Sequence, residues 1–377
     1  MLDAADRLFL QRAVEVAEQG MFSVTANPRV GCLLVKNGML LGSGAHLRSG
    51  QGHAEVNALA DARQRHATTE IAGATAYVSL EPCCHAGRTP ACTGALIDAG
   101  VSRVVIAKLD PHPKVAGEGV ALLRAAGIAV EVEALASAER LVYGHVTNML
   151  HDRPYIRLKI AQSLDGRTAM ASGESKWITG ELARRDVQYW RARSCALITG
   201  AGTVIADDPA LTVRDEHFVS AAHAGIRQPL RVVFDSQRRT PRTAQVFTDG
   251  HETLLASAAE YPGSVPGGRV DIGNLLAQLA RQGCNEVLLE AGAELVGAFL
   301  QLDLWDELLV YSAPKVLGSD ARPMAGLTLA SMSEAVEAKI ASVDLVGVDV
   351  RTRLVRQSRN LEHVDVVPLG YPDNFLA

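Results

Sequence analysis

Three residues with metal-binding side chains, His53, Cys83 and Cys92, constrain this chain more than any other feature. One imidazole and two thiolates suit a tetrahedral Zn²⁺ ion, and three protein ligands leave its fourth position open for water. Such an open position is typical of catalytic rather than structural zinc. Glu55 lies two residues after the histidine, where its carboxylate is able to exchange a proton with that water. The pattern therefore predicts a catalytic zinc site.

The residues around these ligands have the patterns of helices. Residues 53–65 place apolar side chains at helical spacing, and residues 90–99 form a second helical segment before Gly100, a common helix stop. We therefore expect His53 and Cys92 in the first turns of two helices, where a helix N-terminus favours the thiolate. The order H-x-E, P-C and C is the general signature of the zinc-dependent base deaminases.

A purely structural zinc site is the main alternative for these residues. It needs a fourth protein ligand, and both Cys84 and His85 are candidates beside Cys83. Cys84 is also an alternative thiolate to Cys83 itself. The sequence alone leaves these alternatives open.

Length and composition set the broad class of the protein. The 377 residues suffice for two domains, and a hydrophobic content of 48% supplies two cores. The net charge of −5 gives no sign of a nucleic-acid or membrane surface. The sequence shows no signal peptide and no run of about 18 apolar residues, and six cysteines in so long a chain do not form a disulfide framework. We therefore expect a cytoplasmic protein that acts on small molecules.

Strand-like and helical segments alternate along both halves of the chain. Residues 1–150 predict a three-layer α/β domain with mixed strand directions. Pro154 ends a helical run and a new strand follows it, so a domain boundary is expected at residues 151–154. Residues 154–377 alternate strands and helices in the manner of a doubly wound sheet.

The spacing of the two cysteines narrows the class. Eight residues separate Cys83 from Cys92, where the common deaminase signature has two. With this long loop, PCCHAGRTPAC, and the upstream NPRVG of residues 27–31, the first half resembles the deaminase half of the RibD/RibG family of bifunctional riboflavin-biosynthesis proteins. Cys84 stands where many relatives have serine. The resemblance continues in the second half through LKIAQSLDGRTAMASGESKWIT, ITGAGTVIADDPALTVR and EAGAELVGAFL.

This resemblance implies a fold and two successive reactions. It implies a cytidine-deaminase-like domain over residues 1–150 and a dihydrofolate-reductase-like domain over residues 154–377. The first domain would deaminate 2,5-diamino-6-(5-phosphoribosylamino)pyrimidin-4(3H)-one with one Zn²⁺ per chain. The second would use NADPH to reduce the ribosyl group of the product to ribityl. Relatives also form dimers or tetramers through the reductase domain, so a homo-oligomer is expected.

The resemblance assigns deaminase substrate contacts to Asn27, His46, His85 and Arg88. An asparagine suits a pyrimidine edge, and an arginine suits a phosphate. Two of these residues have simpler alternatives. Asparagine before proline is a common turn residue, and His46 is equally a solvated loop residue.

Two turns rich in small residues, at 199–203 and 290–293, are the candidate cofactor site of the second half. This half lacks G-x-G-x-x-G, so it is not an ordinary dinucleotide-binding domain. Small residues before a helix let backbone amides approach phosphate, although close packing of helix on strand explains them equally well. The NADPH contacts that the resemblance implies are Ala161, Trp177, Thr203, Asp207, Ser236, Gly292, Ala293, Glu294, Leu295, Val296, Gly297 and Ala298.

The resemblance also implies how the reductase holds its ribotide. The implied contacts are Ser175, Arg191, Leu211, Arg214 and Glu290. The two arginines suit forked phosphate binding, although surface solvation is the simpler role for each. The proton transfer that accompanies the reduction is assigned to Lys159, Asp207 or Glu290.

Several of these assignments compete with structural roles. Asp207 and Asp208 also suit the end of a helix, and Trp177 also suits a core. Residues 236–239, with the sequence SQRR, follow a strand and are suited to the 2′-phosphate of NADPH. Asp235 would instead favour NADH in an ordinary dinucleotide site.

The main alternative function is a cytidine, guanine or tRNA-adenosine deaminase joined to a non-catalytic, nucleotide-sensing C-terminal domain. A tRNA enzyme is expected to carry basic patches, and this chain is net acidic. NADPH oxidation with the deaminated product distinguishes the two functions.

Overall fold

The chain divides into two compact units. The structure is a computed structural model that describes residues 2–85, 90–214, 225–263 and 268–357. Apart from the short segment Ala222–Ile226, the units are Met1–Arg153 and Pro154–Ala377.

The first unit is a sheet covered by helices on both faces. Its helices and strands are, in chain order, α1 Ala4–Ala17, β1 Gly31–Lys36, β2 Met39–Ala45, α2 Ala54–Arg65, α3 Thr68–Ile71, β3 Thr75–Val78, α4 Cys92–Asp98, β4 Arg103–Ile106, α5 Glu118–Ala125, β5 Ala129–Val132 and α6 Ala136–His151. The strand order is β2-β1-β3-β4-β5. β1 is antiparallel to β2 and β3, whereas β3, β4 and β5 are parallel.

Alternate side chains of this sheet supply two separate cores. In β1, Cys32 and Leu34 pack with α2, α3, α4 and α5, whereas Leu33 and Val35 pack with α1 and α6. This alternation is what a strand buried on both faces requires. The predicted three-layer α/β arrangement with mixed strand directions is therefore confirmed.

The second unit is built on a larger sheet. Its elements are β6 Tyr155–Ser163, β7 Arg167–Ala169, α7 Glu181–Arg193, β8 Ala196–Gly200, α8 Ala201–Asp207, β9 Leu230–Phe234, α9 Gln245–Thr248, β10 Thr253–Ala256, α10 Ile272–Arg281, β11 Glu286–Leu289, α11 Ala293–Gln301, β12 Glu307–Ala313, β13 Arg322–Pro323, β14 Ala338–Val346 and β15 Asp349–Arg356. The main sheet has the order β10-β9-β8-β11-β6-β12-β15-β14. The strands from β10 to β12 are parallel, and β15 is antiparallel to both neighbours.

Helices cover both faces of this sheet, which confirms the predicted doubly wound arrangement. α10 and α11 pack on one face, and α7, α8 and α9 pack on the other. The neighbouring strands β8 and β11 are followed by α8 and α11, which lie on opposite faces. Such a switch point opens a crevice at the carboxyl ends of the strands, where ligands of open α/β sheets bind.

A buried ion network lies on the α7 face of the same sheet. Arg157 contacts both Glu286 and Glu307, with 2.7 Å between its Nε and Glu307 Oε2. Arg353 Nε lies 2.6 Å from Glu307 Oε1, and Arg193 Nε lies 2.8 Å from Glu286 Oε2. Burial alone would raise the pKa of the Glu307 carboxyl, but the positive charges of Arg353 and Arg157 outweigh this effect and lower that pKa to about 2. The Glu307 carboxylate is therefore ionised in the folded protein.

Candidate active sites

The three predicted metal ligands meet in the first unit. His53 is the N-cap of α2, Cys92 is the first residue of α4, and Cys83 lies in the segment after β3. His53 Nδ1 lies 3.6 Å from the Cys83 sulfur and 3.3 Å from the Cys92 sulfur. All three donor atoms lie within 4.8 Å of one another.

This geometry fits a zinc ion. A tetrahedral ion with ligand bonds of about 2.0–2.3 Å holds its donor atoms about 3.5 Å apart. Within the described residues, no other histidine, cysteine or carboxylate joins the cluster. The Cys84 thiol instead donates to the Lys114 carbonyl at 3.1 Å. The geometry thus favours Cys83 over Cys84 and leaves one coordination position for a small molecule.

The ionisation of the two cysteine sulfur atoms favours binding of a cation. The Cys92 thiol, followed by the His53 ring, lowers the pKa of Cys83 to about 4, although burial opposes the shift. The same hydrogen bond raises the pKa of Cys92. One thiolate therefore shares the proton of its neighbour, and a bound metal ion displaces that proton.

Glu55 occupies the second position of α2, two residues after the N-cap His53. Its side chain is 3% exposed. Burial raises the pKa of its carboxyl, which suits a group that must hold and release a proton near neutral pH.

His46 and Asn27 lie in the segments that flank β1 and β2. His46 is only 2% exposed, so the alternative of a solvated loop residue is wrong. Its ring lies edge-on to His53 with centroids 5.1 Å apart, and Nδ1 lies 3.0 Å from the Gly52 carbonyl oxygen. Burial lowers the pKa of His46, so this ring is neutral. Asn27 is half-buried just before β1.

His85 lies two residues after Cys83 and stacks on a histidine that the sequence analysis missed. The ring centroids of His85 and His112 are 5.6 Å apart, with an interplanar angle of 23°. His112 belongs to the segment between β4 and α5, and only three-dimensional proximity connects it to this loop. Arg88, another predicted substrate contact, lies outside the described residues.

The second unit places both small-residue turns at the β8–β11 crevice. Gly200 is the N-cap of α8, and Gly292 is the N-cap of α11. A Cβ added to Gly200 would lie 3.8 Å from Leu295, whereas one added to Gly202 or Gly292 would meet open space. Backbone amides at both helix starts are therefore accessible to a phosphate.

The predicted NADPH stretch 292–298 divides into an open and a packed part. Gly292 and Glu294 are exposed, and Ala293 and Leu295 are half-buried. Val296 belongs to the core, and Gly297 packs so closely that a Cβ there would lie 2.5 Å from the Gly326 carbonyl oxygen. Ala298 is half-buried farther along the helix. Only the first turn is thus placed for direct cofactor contact.

A buried charge cluster unites three of the predicted reductase residues. Arg191 on α7 forms a two-point ion pair with Glu290, which directly follows β11. Lys159 Nζ on β6 lies 3.7 Å from Glu290 Oε2. Burial alone would raise the pKa of the Glu290 carboxyl, but the positive charges of Arg191 and Lys159 outweigh this effect and lower that pKa to about 2. Burial lowers the pKa of Lys159.

The other predicted ribotide contacts differ in their surroundings. Arg214 is exposed, and its backbone N–H donates to the Gln188 side chain at 3.0 Å. Leu211 is buried in the core of the α7 face and has a φ of 53°, so only its backbone is available to a ligand. Ser175 is half-buried.

Trp177 is not a core residue. Its side chain is 61% exposed, and the Arg184 guanidinium lies 4.4 Å from the ring centroid. Ala161 lies on β6 two residues after Lys159, and its register partner on β12 is Tyr311.

The remaining predicted cofactor residues follow β8 and β9. Thr203 and Asp207 belong to α8, and Asp207 is its last residue, while Asp208 is the C-cap with a φ of 42°. Both aspartates therefore lie at the end of a helix, as the structural alternative predicted, with Asp207 as the last residue and Asp208 as the cap.

Ser236 is the second residue after β9, and its hydroxyl accepts from the Val270 backbone N–H at 3.2 Å. The neighbouring Asp235 carboxylate is buried and accepts from the Thr240 backbone at 2.7 Å, so it is committed within the fold.

Comparisons with known proteins match the two units separately. Residues 3–108 match the family model described as the cytidine and deoxycytidylate deaminase zinc-binding region. Residues 154–351 match the model of the RibD C-terminal domain. The fold and the two sites thus define a zinc-dependent deaminase joined to a reductase.

Full-length relatives identify the family. The chain is 46% identical to the riboflavin biosynthesis protein RibD of Escherichia coli K12 over 368 residues, which cover 93% of this chain and 99% of that protein. The solved structure of Acinetobacter baumannii RibD, form 1, matches with a TM-score of 0.84 and 44% identity, covering 93% of this chain and 98% of that one. The chain therefore belongs to the RibD family of riboflavin biosynthesis proteins.

A third match comes from Thermotoga maritima. Its structure is described as a diaminohydroxyphosphoribosylaminopyrimidine deaminase/5-amino-6-(5-phosphoribosylamino)uracil reductase. It matches with a TM-score of 0.82 and 31% identity, covering 93% of this chain and 99% of that one. None of the helices in the described part of the chain combines the length and apolar character that crossing a membrane needs.

Proposed function

We propose that this chain deaminates the diaminopyrimidine ribotide in its first unit and reduces the ribosyl group of the product in its second. The observation that carries the proposal is the cluster of His53, Cys83 and Cys92 beside the buried Glu55. A deaminase needs this combination of an open metal site and a proton carrier.

The first unit holds the metal and moves the protons. Zn²⁺ bound to the two thiolates and the imidazole supplies Lewis-acid activation of water. Glu55 takes one proton from the attacking water and delivers it to the ring nitrogen. It then carries the second proton, from the hydroxyl formed on the ring carbon, to the amine, which leaves as ammonia. The raised pKa of its carboxyl supports this carrier role. His46 is neutral and buried beside His53, where it contributes to a polar wall for the base.

The second unit offers the β8–β11 crevice to NADPH. The accessible amides at Gly202 and Gly292 support binding of the cofactor's diphosphate at these helix starts. Arg239 is exposed three residues after Ser236, and it is our candidate for the 2′-phosphate. Asp235 accepts a hydrogen bond from the Thr240 backbone N–H, which orients its carboxylate within the fold. NADPH bound there supplies a hydride for the ribosyl carbon.

Lys159 is the best proton donor among the three residues named from the sequence. Glu290 is an ionised carboxylate with a pKa of about 2, so it carries no proton to donate. Asp207 makes no side-chain hydrogen bond or ion pair within the described residues, whereas Lys159 is held by Glu290 at 3.7 Å. Burial lowers the pKa of the Lys159 ammonium, which makes it a stronger acid. We therefore assign the proton transfer to Lys159.

Arg191 and Arg214 have different roles in this proposal. Arg191 is committed to Glu290 and to the Thr212 carbonyl, which leaves little of its guanidinium for a ligand. Arg214 is exposed, and its side chain is the better candidate for the ribotide phosphate.

A homo-oligomer built through the second unit is supported by an exposed apolar row. β14 is the edge strand of the main sheet, and Ile340, Val343 and Leu345 on it are each more than half exposed. An unpaired apolar edge of this kind is a template for another chain. Light scattering of the variant Val343→Asp is expected to show a smaller particle than the unaltered protein. An unchanged mass would contradict this interface.

Two assays test the proposed function directly. Ammonia release from the diaminopyrimidine ribotide reports on the first unit, and NADPH oxidation with the deaminated ribotide reports on the second. Cytidine, guanine and NADH serve as comparison substrates and cofactor. Turnover of cytidine or guanine without turnover of the ribotide would contradict the proposal.

A further inference from the structure

A buried histidine–aspartate pair lies outside the ligand cluster of the first unit. His145 belongs to α6, Asp110 lies in the segment after β4, and each is less than one tenth exposed. His145 Nε2 lies 2.9 Å from Asp110 Oδ1. His145 Nδ1 has no hydrogen-bond partner among the described residues, so Asp110 is the hydrogen-bond partner of this ring.

Asp110 begins the segment 110–117, whose backbone N–H groups donate to buried carboxylates at both ends. Its carboxylate accepts from the His112 backbone N–H at 2.9 Å. The buried carboxylate of Glu81 accepts from the backbone N–H groups of Asp110 at 3.3 Å and of Gly117 at 3.0 Å. Glu81 lies two residues before the ligand Cys83, so the anchored segment 110–117 is tied to the chain that carries the metal ligand.

The anchored segment touches the loop after Cys83 at two points. The His112 ring stacks on the His85 ring, and the Lys114 carbonyl accepts from the Cys84 thiol. His85 is the predicted substrate contact in that loop. A shift of segment 110–117 therefore moves a wall of the deaminase site without moving His53.

We propose that His145 is a positioning residue for deamination. By holding Asp110, it fixes His112 against His85 and so fixes the loop that the ribotide contacts. His145 acts through Asp110 and touches neither substrate nor metal. The proposal rests on the deaminase function proposed above, and it adds a residue to that site from a helix on the opposite face of the sheet.

Two substitutions separate positioning from simple packing. His145→Phe keeps the ring volume and removes the N–H donor, whereas His145→Gln keeps a donor. We expect His145→Phe to raise the KM for the diaminopyrimidine ribotide about tenfold with kcat nearly unchanged, because ground-state and transition-state binding are lost together. His145→Gln is expected to restore most of the affinity. Both variants are expected to keep one zinc per chain and normal NADPH oxidation.

A second readout does not depend on activity. Lys114 is exposed within the anchored segment, so trypsin cleavage after it reports how firmly the segment is held. We expect faster cleavage at Lys114 in His145→Phe and a rate near that of the unaltered protein in His145→Gln. If the unaltered protein releases no ammonia, the proposed function is wrong, and the cleavage rates then report only whether His145 anchors segment 110–117.

Unaltered KM and unaltered cleavage in His145→Phe would overturn the proposal. If that variant does not fold, the double variant Asp110→Ala/His145→Phe replaces it, because it leaves no buried charge without a partner. The same rise in KM is expected there, and a normal KM would again overturn the positioning role.

Discussion

Arg191 and Glu290 are joined at two points: Arg191 Nε lies 2.6 Å from Glu290 Oε1, and Nη2 lies 3.0 Å from Glu290 Oε2. This ion pair holds Glu290 beside Lys159. It also occupies the Arg191 guanidinium, which the sequence analysis had assigned to the ribotide phosphate. The arginine on α7 therefore orients the charge cluster, and Arg214 is our proposed contact for the ribotide phosphate.

The two arginines are expected to differ in their kinetic effects. Arg214→Ala is expected to raise the KM for the deaminated ribotide at least about tenfold with little change in kcat, through loss of a charge-assisted contact. Arg191→Ala is expected to lower kcat as well, and to destabilise the protein by about 3–5 kcal/mol because Glu290 loses its buried partner. Steady-state NADPH oxidation measures both. Neither substitution should change zinc content or ammonia release, and a loss of deamination in either would contradict the placement of the second site.

The metal site distinguishes two adjacent thiols. Cys84→Ser is expected to keep about one zinc per chain because its thiol faces the Lys114 carbonyl, whereas Cys83→Ser is expected to lose the metal. Elemental analysis of the purified variants measures this. Zinc loss in Cys84→Ser with retention in Cys83→Ser would show that the other sulfur is the ligand.

Glu55→Gln preserves the shape of the side chain and removes its ability to carry protons. We expect this variant to keep its zinc and to release ammonia about a hundredfold more slowly, or slower still. Its NADPH oxidation with the deaminated ribotide should be normal, which serves as the internal control for folding. Normal deamination would remove Glu55 from the mechanism.

Trp177 offers a test of the cofactor site that spares the core. Because its side chain is 61% exposed, Trp177→Ala is expected to change the free energy of unfolding by no more than about 0.5 kcal/mol. The KM for NADPH should nevertheless rise several-fold if the ring forms a wall of the crevice. Thermal unfolding and NADPH titration measure the two effects, and an unchanged KM would exclude the tryptophan from the cofactor site.

The buried ion network predicts an acid-sensitive stability. A carboxylate whose folded pKa is depressed adds stability above its unfolded pKa of about 4.3 and loses it as the pH falls further. For Glu307, this loss is expected between about pH 5 and the folded value of about 2. Glu307→Gln should therefore be much less stable than the unaltered protein at pH 7, with a difference that shrinks toward pH 3. Exposed Glu337→Gln is the matched control, and a pH-independent difference would contradict the role of ionisation.

Local patterns predicted most of the fold because they matched the packing. The helix predicted over 53–65 is observed as Ala54–Arg65 with His53 as its N-cap, and the helix predicted over 90–99 is observed as Cys92–Asp98, since their apolar residues follow helical spacing. The hairpin of β14 and β15 was not predicted. In β15 the inward positions include Arg351 and Arg353, whose charges are satisfied by Asp186 and Glu307. A hydrophobic pattern does not reveal a strand whose buried face is made of ion pairs.

The zinc ligands were predictable for a different reason than the rest of the site. Their residue types and order carry the chemistry, so His53, Cys83 and Cys92 were visible without a fold. His112 and His145 were not, because the contact of His145 with Asp110 spans 35 residues and neither residue belongs to a motif. The roles of Arg191 and Arg214 likewise depended on which guanidinium the fold had already paired.

The most direct test of the central claim is the ratio of the two products formed by one purified chain. The diaminopyrimidine ribotide is incubated with NADPH, and released ammonia and oxidised NADPH are measured in the same sample. We expect a lag in NADPH oxidation, followed by approach to one NADPH oxidised per ammonia released. When NADPH is omitted, we expect ammonia alone. Ammonia release that never becomes coupled to NADPH oxidation, or NADPH oxidation that precedes deamination, would contradict two successive reactions on this chain.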